Sequence, residues 1–213
     1  MPTTLEAQPV KTKITTEIIE NVSDDFNVKP HLWTQDEYYK MAELGFFDGK
    51  RVELIEGEII EMSPMNKPHA TAIRILLNVL GKIFTENYIV DSQLPISFSK
   101  KNEPEPDISV VKGEIRDFIT SHPKTAELII EVSDTTLRYD REQKASLYAK
   151  NKIKDYWILN LKDSRLEVYR RPIKDDTASF GYSYAERLIL TTEDFVSPLA
   201  KSDVEIAVAD LLP

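Results

Sequence analysis

The sequence predicts an α+β fold: a mixed β-sheet flanked by helices, an α/β/α-like layering, with extra β-hairpins. Three observations carry that prediction. Two segments, "KPHATAIRILLNVLGKIFTEN" and "RYDREQKASLYAKN", are helix-like. Strand-type runs "YIVDSQLPISF", "DISVV" and "ELIIEVS" stand between them. Three more, "YWILNL", "RLEVYRR" and "SYAERLIL", follow the second helix.

In chain order, residues 1 to 30 are polar, Thr-rich and punctuated by proline, and they read as a flexible arm. Residues 31 to 213 read as a single domain. In "HLWTQDEYYKMAELG", Thr34 followed three residues later by Glu37 is a capping-box signature. It predicts a helix through about Glu43, with Gly45 at its C-terminal end. "RVELIEGEIIEMS" alternates about Glu56-Gly57 and predicts a β-hairpin. Ile73, Leu76, Leu77, Leu80 and Phe84 recur at helical spacing. A turn at Lys162-Asp163-Ser164 separates two strands, and "VEIAVADLLP" closes the domain.

Composition narrows the chemistry. The 213-residue chain has no cysteine, which removes disulfides, thiol nucleophiles and Cys-type zinc sites together. No apolar stretch approaches the ~20 residues of a membrane span, and the start lacks the order of a signal peptide, so a cytoplasmic protein without membrane association is expected. The net charge of −9 argues against a general nucleic-acid coat but not against a nucleic-acid enzyme, because metal-binding carboxylates count as negative while their cations do not. The six glycines are too widely spaced for a phosphate-cradling loop or a dinucleotide fingerprint. His31, His69 and His122 are scattered, and His69, near a helix start, reads as a capping or surface residue.

Carboxylates remain. Asp107 follows a proline and opens one strand, and Glu131 lies inside the apolar run "LIIEVSD". Alternation puts Glu127, Ile129, Glu131 and Ser133 on one face and Leu128, Ile130 and Val132 on the other. If the two strands are neighbours, the acids converge. Two close carboxylates repel, a divalent cation removes that penalty, and oxygen-only ligation selects Mg²⁺ or Mn²⁺ over zinc. Asp140, Lys144 and Tyr148 form one helical stripe, with Arg141 able to share the side of Lys144. The stripe is either a surface ion pair or a lysine aimed at the carboxylates.

The ordered set "EPDISVV", "LIIEVSD", "RYDREQKASLYAK" and "YWILNL", behind the hairpin "VELIEGEI", resembles the PD-(D/E)XK nuclease superfamily. More narrowly, it resembles a group of restriction-endonuclease-like proteins of unknown role. The resemblance covers about residues 34 to 170 and implies a restriction-endonuclease-like core. It implies Mg²⁺-dependent hydrolysis of DNA phosphodiester bonds, by an endonuclease that works as a homodimer. Asp107 and Glu131 would hold the metal, with the Val132 carbonyl a further ligand, and Lys144 would position the water. An upstream acid would be Glu53 or Glu58, with the resemblance favouring Glu53. Glu58, His69, Asp140 and Tyr148 are accessory candidates. Ser133 stands where the superfamily pattern has lysine, a lysine role that Lys144 on the following helix would fill. The other reading is a non-catalytic binding module for nucleic acid or protein on the same scaffold. The basic clusters at 100–101, 150–154 and 170–174 could contact a nucleic-acid backbone, and the simpler reading of each is a solvated face.

Overall fold

The computed structural model describes residues 29 to 213. The flexible arm expected over residues 1 to 30 falls almost wholly outside them. From Leu32 onward, helix α1 (Gln35–Glu43) opens the chain. Thr34 caps it as predicted, accepting from the Glu37 backbone N–H while the Glu37 side chain reaches back to the Thr34 N–H at 2.8 Å.

Strands β1 (Val52–Ile55) and β2 (Glu58–Glu61) form the predicted hairpin. Both turn residues have positive φ, 50° at Glu56 and 84° at Gly57, as a two-residue loop between right-twisted strands requires. Helix α2 (Lys67–Ile83) buries Ala72, Ile73, Leu76 and Leu80 along one stripe. Each fully buried leucine stabilises by about 1.5–3 kcal/mol relative to exposure.

Six strands make the central sheet in simple sequence order: β3 (Tyr88–Asp91), β4 (Ile108–Lys112), β5 (Leu128–Ser133), β6 (Asp155–Asn160), β7 (Arg165–Lys174) and β8 (Tyr182–Leu190). Only β5 and β6 are parallel, so the sheet is mixed. Both are buried along their whole length, as strands covered on two faces must be. A pair of short strands, β9 (Phe195–Val196) and β10 (Ile206–Ala207), ends the chain.

Strand alternation sorts the core onto the two faces of the sheet. Leu128, Ile130 and Val132 of β5 pack with α2 and with the C-terminal Val208 and Leu211. Ile129 packs on the other side with Tyr148, Tyr156 and Ile158. Glu131 and Ser133 share the Ile129 side by the same alternation. The result is a central mixed sheet with helices on both faces and extra hairpins, matching a restriction-endonuclease-like core. Among the described residues no helix is long and apolar enough to cross a membrane.

Two elements depart from expectation. "YIVDSQLPISF" is a strand only over Tyr88–Asp91. Gln93 takes φ 55° and Pro95 has no N–H for a ladder, so the chain leaves the sheet and bonds instead to the 102–106 segment. The helix expected from Arg138 is broken into α3 (Leu137–Tyr139), a π-helical turn (Asp140–Lys144) and α4 (Ala145–Lys150). The Ala145 N–H reaches back five residues to the Asp140 carbonyl, which also accepts from the Tyr156 hydroxyl at 3.0 Å.

Candidate active site

Strands β4 and β5 are antiparallel neighbours with Ile108 opposite Ile130, which sets Asp107 beside Glu131. The two residues are joined directly. The Asp107 N–H donates to Glu131 Oε2 at 3.2 Å, and the Val132 N–H donates to Asp107 Oδ2 at 2.9 Å. Asp107 Oδ1 accepts from Gln93 at 3.1 Å and lies 3.0 Å from His69 Nε2. A carboxylate oxygen only accepts, so the His69 proton sits on Nε2 in this contact. Burial pushes Asp107 upward, but the contacts from His69, Val132 and Gln93 outweigh it and hold the carboxyl below its usual range.

Glu131 is pushed the other way. Burial lifts it to about 8; Lys144 opposes the rise, while Asp107, Asp140 and Glu53 add to it. Its Oε1 accepts from the Tyr148 hydroxyl at 2.6 Å and faces Lys144 Nζ at 3.3 Å. Lys144 comes from the π-helical turn and is only 1% exposed at its side chain. Its ammonium bonds Glu53 Oε2 at 2.6 Å. Burial alone would lower the lysine, but the charges of Glu131 and Glu53 reverse that and raise it. A surface pair with Asp140 is therefore not what the stripe forms. Nor does Arg141 share the side of Lys144, because its guanidinium pairs with Glu167 on β7.

Asp107, Glu131, Val132, His69, Asp140 and Lys144 line one cavity of about 270 Å³. Asp140 accepts from Thr136 at 2.7 Å, and its carboxyl is raised to about 6, chiefly by burial. Glu53 does not line this cavity and reaches the cluster through Lys144. Its Oε2 also accepts the Glu105 N–H at 3.2 Å, while its buried Oε1 has no hydrogen-bond partner among the described residues. Glu58 is exposed on the hairpin and stays outside the cluster. Among the described residues, no group of three or more His, Cys, Asp or Glu side chains is arranged to hold a metal ion.

The family model described as "Uma2: Putative restriction endonuclease" matches residues 35–209. The chain belongs to the Uma2 family. One solved structure from Anabaena variabilis ATCC 29413, described as "a putative nuclease belonging to DUF820", aligns with a TM-score of 0.63 over 84% of this chain and 96% of that one. At 18% identity that likeness speaks for the fold alone. No curated protein matches the chain. The Uma2 match joins the chain to restriction-endonuclease-like proteins of the PD-(D/E)XK kind.

Some members of the cluster were hidden in the sequence. Gln93 sat in what read as a strand interior, and only the nearby Pro95 hinted at a break there. His69 was visible, read from its position as a capping or surface residue and from the resemblance as an accessory candidate. In this Uma2 chain the capping side chain is Asn66, which accepts the His69 N–H at 3.0 Å and leaves the imidazole for Asp107.

Proposed function

We propose that the chain is a Mg²⁺- or Mn²⁺-dependent endonuclease that hydrolyses phosphodiester bonds of DNA. The observation that carries this reading is the direct junction of Asp107 and Glu131 beside a buried lysine, in one cavity. The donors fit a hard cation. They are oxygen atoms from two adjoining carboxylates, with the Val132 carbonyl on the same strand end. Mg²⁺ is commonly held by one or two carboxylates, with water completing its sphere. Glu131 would have to ionise to bind, and a divalent charge favours that form. When bound, Mg²⁺ would supply Lewis acidity, acidifying water and offsetting the charge of a phosphodiester.

The chain's own residues supply the rest. His69 and Gln93 fix one Asp107 oxygen, and the Val132 N–H fixes the other. Tyr148 holds Glu131 in place. Lys144, clamped by Glu53, places a permanent positive charge beside Glu131, where it would orient an attacking water and stabilise developing negative charge. Asp140 serves as a lining carboxylate. The cut would require both strands of a duplex to be reached, which carries the expectation of a homodimer; sedimentation of the full chain tests that part.

A second reading, a non-catalytic binding module, is favoured by the sequestration of Lys144 between two carboxylates. Incubating plasmid and linear DNA with Mg²⁺ or Mn²⁺ separates the two. Wild type should cut, and Asp107→Ala and Lys144→Ala should each lose about 10²-fold or more in rate. Cleavage that is equal in wild type and both variants, or absent in all, overturns the nuclease.

A further inference from the structure

Two basic clusters that are distant in the sequence meet on one face of the molecule. Lys152 and Lys154, from the turn after α4, line a groove of about 530 Å³ together with Arg170, Arg171, Glu186 and Leu199. None of these residues lines the carboxylate cavity. Arg170 is committed within the fold, bonding buried Asp155 at 2.8 Å and the Ser197 carbonyl at 2.6 Å. Lys152, Lys154 and Arg171 are exposed, and among the described residues none of the three forms an ion pair with a carboxylate. A single carboxylate, Glu186, faces three uncommitted cations, on a chain whose net charge is −9.

The backbone at two of these cations tolerates glycine. Lys152 has φ 63° and Arg171 has φ 60°. This left-handed region favours glycine over residues with a Cβ. Neither site gains a local hydrogen-bonding side chain of the Asn or Asp kind that would offset that preference. At Lys152 the left-handed φ closes α4, where the Ile153 N–H bonds the Tyr148 carbonyl at 3.0 Å, and glycine fits both positions without strain. The charge of the two side chains is what the substitution of glycine would remove.

We propose that this groove is a contact site for the phosphodiester backbone of a nucleic acid, separate from the carboxylate cavity. The identity of the polyanion rests on the nuclease reading above; the site itself rests on the convergence of the two clusters and on the lack, among the described residues, of carboxylate partners for its exposed cations. Three exposed cations on a groove neutralise phosphates without reading bases.

The test is anisotropy of a labelled DNA duplex with the full chain in EDTA, over a series of salt concentrations, for wild type, Lys152→Gly, Lys154→Ala, Arg171→Gly and the triple variant. Each lost cation should weaken binding and reduce the slope of log K against log salt by about 0.9. Lys152→Gly should do so while its Tm holds or rises, because glycine relieves the strained φ. A merely structural lysine would give the opposite pairing. Affinity and slope unchanged in the triple variant would overturn the proposal. So would a wild type that binds neither DNA nor RNA, or one that uses these residues only for anionic vesicles. Binding through the groove without cleavage by wild type would overturn the nuclease and leave the groove standing. Cleavage with unaltered binding in the triple variant would do the reverse.

Discussion

Lys144 is an ammonium almost sealed from solvent, held between Glu53 and Glu131. Removing one member of such a group leaves the others buried without compensation, at a cost of about 3–5 kcal/mol. Lys144→Met keeps the volume and deletes the charge. The variant should lose about that much stability in urea unfolding with EDTA at about pH 8. The deficit should grow as pH climbs above about 8, where Glu131 ionises in the native wild type but not in the variant. The sign follows from Glu131, whose native pKa is already raised by burial and would rise further without Lys144. A carboxyl raised in the native state favours folding below its unfolded value near 4.5 and loses that contribution as pH climbs. A deficit that stays constant from about pH 8 to about pH 10 would show that Glu131 does not ionise beside Lys144.

At the scale of elements, the β1–β2 turn depends on Gly57. Its φ is 84°, and a Cβ there would sit 2.7 Å from the Leu32 Cβ. Gly57→Ala should therefore cost about 2 kcal/mol or more, seen as a Tm lower by roughly 4–8 °C. An unchanged Tm would mean that the turn relaxes freely. Glu167 of β7 ties the π-helical turn to β8. Burial would raise its carboxyl, but hydrogen bonds from Arg141, Tyr169 and Arg187 outweigh that and bring it to about 2, from an ordinary 4.5. The depressed pKa contributes stability above about 4.5 that is lost as pH falls towards 2. The full linkage is roughly 3 kcal/mol, reduced to about 2 by solvent around the partly exposed arginines. Glu167→Gln should remove that portion of the acid-unfolding slope, as followed by circular dichroism.

At the scale of the whole sheet, the carboxylate cluster lies where β4, β5, α2 and the helical crossover come together, so its protonation couples to global unfolding. Without metal, the raised Glu131 should make the protein less stable as pH rises from about 5 to about 8. A cation that binds the ionised native site should offset the fall, by an amount that grows with its concentration. Thermal unfolding with and without Mn²⁺ at the two pH values checks this. A Mn²⁺ effect that is absent at the higher pH, or unaltered in Glu131→Gln, would contradict the assignment of Glu131 as a ligand.

The elements legible in the sequence are those set by local physics. The Thr34 cap, the Glu56-Gly57 turn, the apolar stripe of α2 and the alternation along β5 each follow from backbone sterics or from side-chain period. The convergence of Asp107 and Glu131 was legible only on the condition that their strands pair, which they do. What the tertiary structure decided involves long separations and burial. Lys144 meets Glu53 across 91 positions, and His69 meets Asp107 across 38. No periodicity records such pairs. Burial turned the Lys144 stripe from a surface pattern into an ion cluster, and it accompanies the π-helical turn that brings Asp140 and Lys144 inward together. The two basic clusters likewise read as separate stretches, backbone contacts or solvated faces, until the β6–β7 register set Arg170 opposite Asp155 and brought them to one groove. Sequence reports what a residue can do with its neighbours in the chain; only packing assigns the distant partner and the dielectric in which they meet.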